Sequence, residues 1–154
     1  MWYVNWNMGI SLAADYPYEA ITQRCWADWW GPVNVDMVHR AHSYDQASLM
    51  AAIAQQPVSV CVDSESPLWM QYTGGVISDA KGCGSKLTHA VVAGGYGTDA
   101  ETGLDYYLVR NSWGADWGED GYVKLARQGD GYGVCGVQEM HYWPDVSAGK
   151  TPTM

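Results

Sequence analysis

Two side chains suited to hydrolytic chemistry stand in the second half of the sequence. His89 lies in the run LTHAVVAGGYG at residues 87–97, and Asn111 begins the run NSWGADWGEDGY at residues 111–122. An imidazole can accept and return a proton, and a carboxamide can hold that imidazole in its working orientation. On neighbouring strands, the two supply two of the three groups of a Cys-His-Asn hydrolytic site. The nucleophile is the group that remains to be found.

Several other segments follow the order and approximate spacing of one known protein family. They are YPYEA at 16–20, QPVSV at 56–60, YTGGV at 72–76 and YGVCGV at 132–137. With the runs around His89 and Asn111, they make the chain resemble the papain family of cysteine proteases from about Ile10 to Pro144. Chance does not account for so many collinear matches.

The resemblance implies roles for the site residues. His89 would be the catalytic base and Asn111 its orienter. Trp113 would cover their contact and exclude water, which strengthens the interaction, and Trp117 would extend this aromatic cover toward the leaving-group side. The pocket for the second side chain before the scissile bond would favour apolar side chains, and its lining would be Cys61, Leu87, Ala90 and Met140.

The family's nucleophile segment is not found in these 154 residues. In such enzymes the His and Asn follow a C-G-[SA]-C-[WY] segment by about 130–150 residues, which is farther than His89 stands from the start of the sequence. Cys25 precedes a Trp, but Gln23 and Arg24 stand before it instead of Gly and a small residue. We therefore expect the C-terminal half of the family fold, without the nucleophile and the oxyanion-hole Gln.

The four cysteines have different expected states. By resemblance, Cys83 and Cys135 form a disulfide, and Cys25 is unpaired because its family partner belongs to the first half. Cys61 matches no usual disulfide cysteine and is best interpreted as a buried small apolar residue. A disulfide indicates an oxidising compartment, and the family resemblance implies a lysosomal, vacuolar or secreted protein. Residues 1–5 show no signal-peptide pattern.

The composition and the residue spacing limit which partners and cofactors we expect for the protein. The net charge of −9 argues against nucleic acid, which requires a basic face. No apolar run approaches the ~18 residues of a membrane span. His39 and His42 have no Cys or carboxylate at ligand spacing, and the acidic residues within 116–120 lack the spacing of a calcium loop. We expect neither a metal nor another cofactor.

The elements that must position the site are mostly strands. Hydrophobic alternation and Gly breaks predict strands at 33–41, 58–62, 89–96, 105–111 and 121–127, with a closing strand region at 134–143. A capping box that begins at Ser43 predicts one short helix over 47–55, ended by Pro57. We expect an α+β fold, the antiparallel β-barrel-like right domain of the papain fold with one short helix.

Three regions and two functions are predicted. Residues 1–14 would be a remnant of the first-domain helix, 15–146 the papain-like His/Asn domain and 147–154 a flexible tail. The first hypothesis is the C-terminal half of a papain-like cysteine peptidase, inactive alone and hydrolysing peptides when a Cys-bearing N-terminal half or other protein subunit completes the site. The alternative is a non-catalytic pseudo-protease domain, a structural or binding subunit of an assembly. Both predict a protein partner, because the face that the first domain normally covers is apolar.

Overall fold

The computed structural model describes residues 1–27 and 31–148. The chain divides into two compact units, one formed by Met1–His39 with the segment from Pro144 onward, and the other by Arg40–Trp143. All of the predicted site residues belong to the second unit. The predicted boundaries at residues 14 and 146 differ from this division, since the first unit extends to His39.

Strands dominate the described part of the chain, as predicted. They are β1 (Val33–Arg40), β2 (Val58–Val62), β3 (Val76–Ile77), β4 (His89–Thr98), β5 (Asp105–Arg110), β6 (Tyr122–Ala126) and β7 (His141–Ala148). Their order in the sheet is β1-β7-β2-β4-β5-β6-β3, and among the described residues the two end strands are not paired with each other. The expected α+β class is confirmed, but β3 pairs with β6 in parallel and the sheet is open rather than a closed barrel.

The helices are short, and there are more of them than the remnant at 1–14 and the one short helix predicted. Within the described ranges they are α1 (Trp2–Trp6), α2 (Gln46–Ile53), α3 (Pro67–Met70) and α4 (Ala80–Cys83), followed by a 3-10 turn at Val134–Gly136. The sequence analysis missed α3 and α4 because four residues are too few for a hydrophobic period to be recognised. The 3-10 turn also delays the closing strand, which begins at His141 instead of residue 134.

Helix α2 begins at a different cap from the one predicted. The Asp45 side chain accepts a hydrogen bond of 2.9 Å from the backbone N–H of Ser48, so Asp45 is the N-cap. Ser43, the predicted cap, accepts a hydrogen bond from the Arg40 guanidinium instead. Asx residues are as favourable as Ser at this position, and the nearer of the two candidates caps the helix.

The register of the sheet sets which side chains share a face. In the antiparallel pair β2–β4, Val62 stands opposite His89 and Cys61 opposite Ala90. Because side chains alternate along a strand, His89 lies on the face that buries Val60, Val62 and neighbouring β4 residues, whereas Cys61 lies on the other face. β4 begins at His89 and β5 ends immediately before Asn111, so both residues lie at the same edge of the sheet.

A covalent bond joins two separate segments of the second unit. Cys83 of α4 and Cys135 of the 3-10 turn form the disulfide that the family resemblance implied, while Cys25 and Cys61 are free thiols. The bond brings together residues 52 positions apart in the sequence. Cross-links over such distances stabilise a fold chiefly by restricting its unfolded chain.

The first unit is less regular. Its helix covers only Trp2–Trp6, whereas the sequence analysis predicted a helix remnant over residues 1–14. At the other terminus, β7 continues through Ala148 and so includes the first two residues of the predicted tail. The rest of that tail, residues 149–154, lies outside the described residues.

Candidate active site

His89 and Asn111 are joined by a hydrogen bond. His89 Nε2 lies 2.9 Å from Asn111 Oδ1, and Asn111 is buried. The same Oδ1 accepts a hydrogen bond of 2.8 Å from the backbone N–H of Ser112, which identifies this atom as the oxygen of the amide. Because a carboxamide oxygen only accepts, Nε2 must carry a proton. In the neutral ring, Nδ1 is then the basic nitrogen.

The backbone holds Asn111 in place from its other side. The N–H of Asn111 donates to Gly121 O over 2.9 Å, and the N–H of Gly121 donates to Trp117 O over 2.8 Å. Gly121 has a φ of +86°, a conformation that glycine adopts without strain. The residues from Asn111 to Tyr122, which we call the NSWG loop, are therefore closed by their own backbone hydrogen bonds.

Four aromatic residues, which we call the aromatic cluster, pack beside His89: Trp69, Tyr72, Trp113 and Trp117. Trp113 stacks on the imidazole with ring centroids 5.3 Å apart and planes at 27°, and Trp69 meets the imidazole edge-on at 6.4 Å. Trp117 contacts both of these Trp rings, at 5.5 and 5.3 Å. Trp113 thus covers one face of the imidazole, although its own ring is 43% exposed.

Trp69 and Tyr72 had no assigned role in the sequence analysis. Trp69 is fully buried and belongs to the four-residue α3, which no sequence period revealed. Its sequence signal was its place three residues before the YTGG run. From that position its ring reaches both the imidazole and Trp117.

Three buried N–H donors around the site have no hydrogen-bond acceptor among the described residues. They are Asn111 Nδ2, Trp69 Nε1 and Trp117 Nε1. Each such group costs about 1–3 kcal/mol of stability. Unsatisfied polar groups are rare in folded proteins, and a water molecule or a ligand is the usual acceptor for such donors.

A carboxylate joins the aromatic cluster to the NSWG loop. Glu119 Oε1 accepts a hydrogen bond of 2.8 Å from Gly75 N–H and lies 3.1 Å from the Tyr72 hydroxyl. Glu119 Oε2 lies 3.1 Å from Lys124 Nζ. Burial raises the pKa of Glu119, but the hydrogen bonds from Gly75, Lys124 and Tyr72 outweigh it and leave the pKa below its usual value.

The structure brings together three of the four predicted pocket residues. Cys61 pairs with Ala90 across β2 and β4, and the N–H of Cys61 donates to Met140 O over 3.0 Å. The Leu87 side chain packs over Gly136. Cys61 is half-buried rather than fully buried as expected, because it lies on the outer face of the sheet.

The two free thiols have opposite electrostatic environments. The pKa of Cys25, in the first unit, is lowered by hydrogen bonds from the Ala27 backbone and the Tyr16 and Tyr3 side chains, which exceed the opposing effect of burial. The pKa of Cys61 is raised by burial and by the nearby charge of Glu139. Since Cys61 also lies on the face of the sheet opposite to His89, it is not placed to act as the nucleophile.

The fold and the site together define a member of the papain family. A sequence model of the papain family cysteine proteases matches residues 1–144, and the chain therefore belongs to this family. It is 45% identical to papaya proteinase 4 of Carica papaya over 139 residues, and 37% identical to papain of the same plant over 139 residues. These matches cover 88% of this chain but only 39% and 38% of the two relatives.

Solved structures agree with the sequence matches. The bromelain protease of Ananas comosus, solved in complex with the E64 inhibitor, has a TM-score of 0.80 and 34% identity, and the match covers 92% of this chain and 65% of that one. The Carica candamarcensis protease CMS1MS2 has a TM-score of 0.80 and 38% identity, with 93% and 64% covered. The chain spans between 30% and 42% of the length of the curated relatives it matches. In the described part of the chain, no helix is long and apolar enough to cross a membrane.

Proposed function

We propose that this chain supplies the general base and its orienting amide to the active site of a papain-like cysteine peptidase. The observation that carries the proposal is the 2.9 Å contact between His89 Nε2 and Asn111 Oδ1. This contact directs the basic Nδ1 of the neutral ring away from Asn111. The nitrogen is then available to a nucleophile supplied from outside these 154 residues, by another part of the same protein or by a second chain.

The chemistry follows from the protonation of the ring. His89 Nδ1 accepts the proton of the thiol, and the thiolate attacks the peptide carbonyl carbon. The imidazolium then returns the proton to the leaving amine, and water hydrolyses the acyl-enzyme by the same base catalysis. Asn111 Oδ1 accepts from Nε2–H throughout, so the ring keeps its orientation in both protonation states. Trp113 and Trp117 keep water from this contact.

The substrates in this proposal are extended peptides. Cys61, Leu87, Ala90 and Met140 would line the pocket for the second side chain before the scissile bond. Their apolar or weakly polar side chains favour an apolar substrate residue. The Cys83–Cys135 disulfide supports an oxidising compartment, vacuolar, lysosomal or extracellular.

A protein partner fits the surface of the first unit. Large apolar side chains are strongly exposed there, with Trp6 at 80% and Tyr18 at 94% of their maximum. Clustered exposure of this kind marks an interaction surface. A Cys-bearing N-terminal half would complete the peptidase, whereas another subunit in its place would make this chain a structural pseudo-protease domain. The exposed surface favours both alternatives, and the His89–Asn111 contact favours the first.

The test is complementation. We expect the purified chain alone to cleave no peptide, and an electrophilic peptide epoxide to label neither Cys25 nor Cys61. Together with a Cys-bearing family N-terminal half, it should hydrolyse a fluorogenic peptide with an apolar second residue. His89→Ala should lower kcat by about 10²–10⁴-fold, and Glu101→Ala in the exposed loop between β4 and β5 should leave it unchanged. Stable association without hydrolysis would favour the structural alternative. Labelling of the isolated chain that is lost in His89→Ala would contradict the expected inactivity.

A further inference from the structure

The aromatic rings that contact His89 are connected, through neighbouring rings, to a polar contact farther from the imidazole. Trp113 stacks on the imidazole, Trp117 packs against Trp113, and Tyr72 packs against Trp117 with ring centroids 5.7 Å apart. Asn111 and both of these Trp residues belong to the NSWG loop. The position of this loop therefore determines both the hydrogen bond and the ring stacking of His89.

Glu119 adds polar contacts between the NSWG loop and the rest of the second unit. Its Oε1 accepts from Gly75 N–H and its Oε2 pairs with Lys124 of β6. Its backbone exchanges two hydrogen bonds of 2.9 Å with Tyr122. One residue, Gly118, separates it from Trp117, and a Cβ added to Gly118 would lie 2.5 Å from Tyr122 O and 3.0 Å from Tyr72 Cδ1. Because the backbone at Gly118 is this closely packed, a displacement of Glu119 would also displace Trp117.

The contacts of Glu119 differ from those of an ordinary surface ion pair. The Glu119 and Lys124 side chains are 36% and 22% exposed, and Lys124 also lies over the Tyr106 ring and near Asp99. The comparison pair Lys86–Glu65 has a similar distance of 3.0 Å, but its side chains are 73% and 63% exposed. A solvated pair of that kind contributes little, whereas a hydrogen-bonded and partly buried carboxylate restricts its surroundings.

We propose that Glu119 is a positioning residue for the His89–Asn111 pair. By holding the NSWG loop against Gly75 and Lys124, it sets the orientation of Trp117 and Trp113 and hence of the imidazole. Its importance for catalysis rests on the proposed function, but its effect on the geometry of His89 does not. The two are therefore measured separately.

The geometric test is NMR spectroscopy of the histidine rings in the 154-residue chain. The His89 signals are assigned by their loss in His89→Ala. Glu119→Ala should shift them, because the ring current of Trp113 falls steeply with distance. Glu119→Gln should shift them less, since its amide oxygen still accepts from Gly75 N–H. Glu65→Ala is the matched control and should leave them in place. The ring signals of the fully buried His141 report that each variant is folded.

The results separate positioning from general stabilisation. A less stable protein loses intensity in all folded signals together, whereas a repositioned imidazole changes its own chemical shift. Unshifted His89 signals in folded Glu119→Ala would overturn the proposal. If that variant does not fold, Glu119→Gln decides: a shift larger than that of Glu65→Ala supports positioning, and an equal or smaller one refutes it.

The catalytic test uses the chain complemented with a Cys-bearing half. Glu119→Ala should lower kcat by roughly tenfold with little change in KM, because a displaced base costs rate more than substrate affinity. Titration with an irreversible epoxide corrects for any loss of active sites. An unchanged kcat per active site would remove the catalytic part of the proposal. If the wild-type complex is itself inactive, the proposed function fails while the NMR result stands.

Discussion

The most buried tryptophan of the second unit and the most exposed aromatic residues of the first unit differ sharply in their surroundings. In the second unit, Trp69 is fully buried and contacts three other aromatic rings around it. In the first unit, Trp6 and Tyr18 are almost entirely exposed. Burial of a large ring contributes several kcal/mol, so Trp69 stabilises the second unit in a way that Trp6 and Tyr18 do not stabilise the first.

The difference also explains where the candidate site can form. A base and its orienter must be held to within a fraction of an ångström, which requires packed surroundings. The second unit provides these through the aromatic cluster and the hydrogen bonds of Glu119. The first unit provides apolar surface, which is suited to association.

We expect the largest difference between the units when one tryptophan of each is replaced by alanine and the free energy of unfolding is measured. Trp69→Ala should lower the free energy of unfolding by about 3–5 kcal/mol, because it leaves a cavity in the core. Trp6→Ala should change it by less than about 0.5 kcal/mol, as is usual for exposed positions. Urea denaturation of the isolated chain measures both. Equal effects of the two substitutions would break the comparison.

The disulfide provides a smaller effect confined to the second unit. Replacing Cys83 and Cys135 together by Ser should cost about 4 kcal/mol or less, the value that the chain-entropy model gives for a separation of 52 residues. Cys25→Ser is the control in the first unit and should leave the unfolding midpoint unchanged. Non-reducing peptide mapping verifies the pairing. A bond between Cys25 and Cys61 in the natural chain would refute it.

The smallest effect is the pH dependence contributed by Glu119. Its pKa is lowered in the folded state relative to the usual 4.5, so folding favours its ionised form. The stabilisation is complete above the unfolded pKa and is lost as the pH falls through the folded pKa. Between about pH 6 and pH 3, the wild-type chain should therefore lose more stability than Glu119→Gln, which has no proton to bind. Equal pH slopes for the two proteins would show that Glu119 is not preferentially ionised in the fold.

The sequence was sufficient for most of the strands and for the residues brought to one edge of the sheet, but it missed the two-residue β3 and placed the start of β7 seven residues too early. The β2 strand is found at the predicted residues, and the regions around β4, β5 and β6 differ by only one or two residues at their ends. These strands bury one face, so apolar and polar residues alternate along them, and this alternation allows the strands to be predicted. The proximity of His89 and Asn111 follows from the same strand boundaries.

What the sequence left hidden depends on tertiary contacts. Trp69 belongs to a helix of one turn, and Glu119 looked like part of a solvated acidic loop. Glu119 contacts Gly75 and Tyr72, which are 44 and 47 positions away from it in the sequence. No local pattern encodes such pairs. The helix cap was misplaced by two residues because Ser43 and Asp45 satisfy the same chemical preference.

The pairing of Val62 with His89 has a consequence for changes in chain length. If β4 moved by one residue against β2, Ala90 would stand opposite Val62 and a methyl group would occupy the place of the imidazole. A movement by two residues would restore the face but displace the ring by about 7 Å. Insertions and deletions between residues 63 and 88 that shift this pairing therefore act on the site as directly as substitution of His89. The length of the segment between β2 and β4 is therefore as important to the site as the residue at position 89, even though few side chains of that segment reach the imidazole.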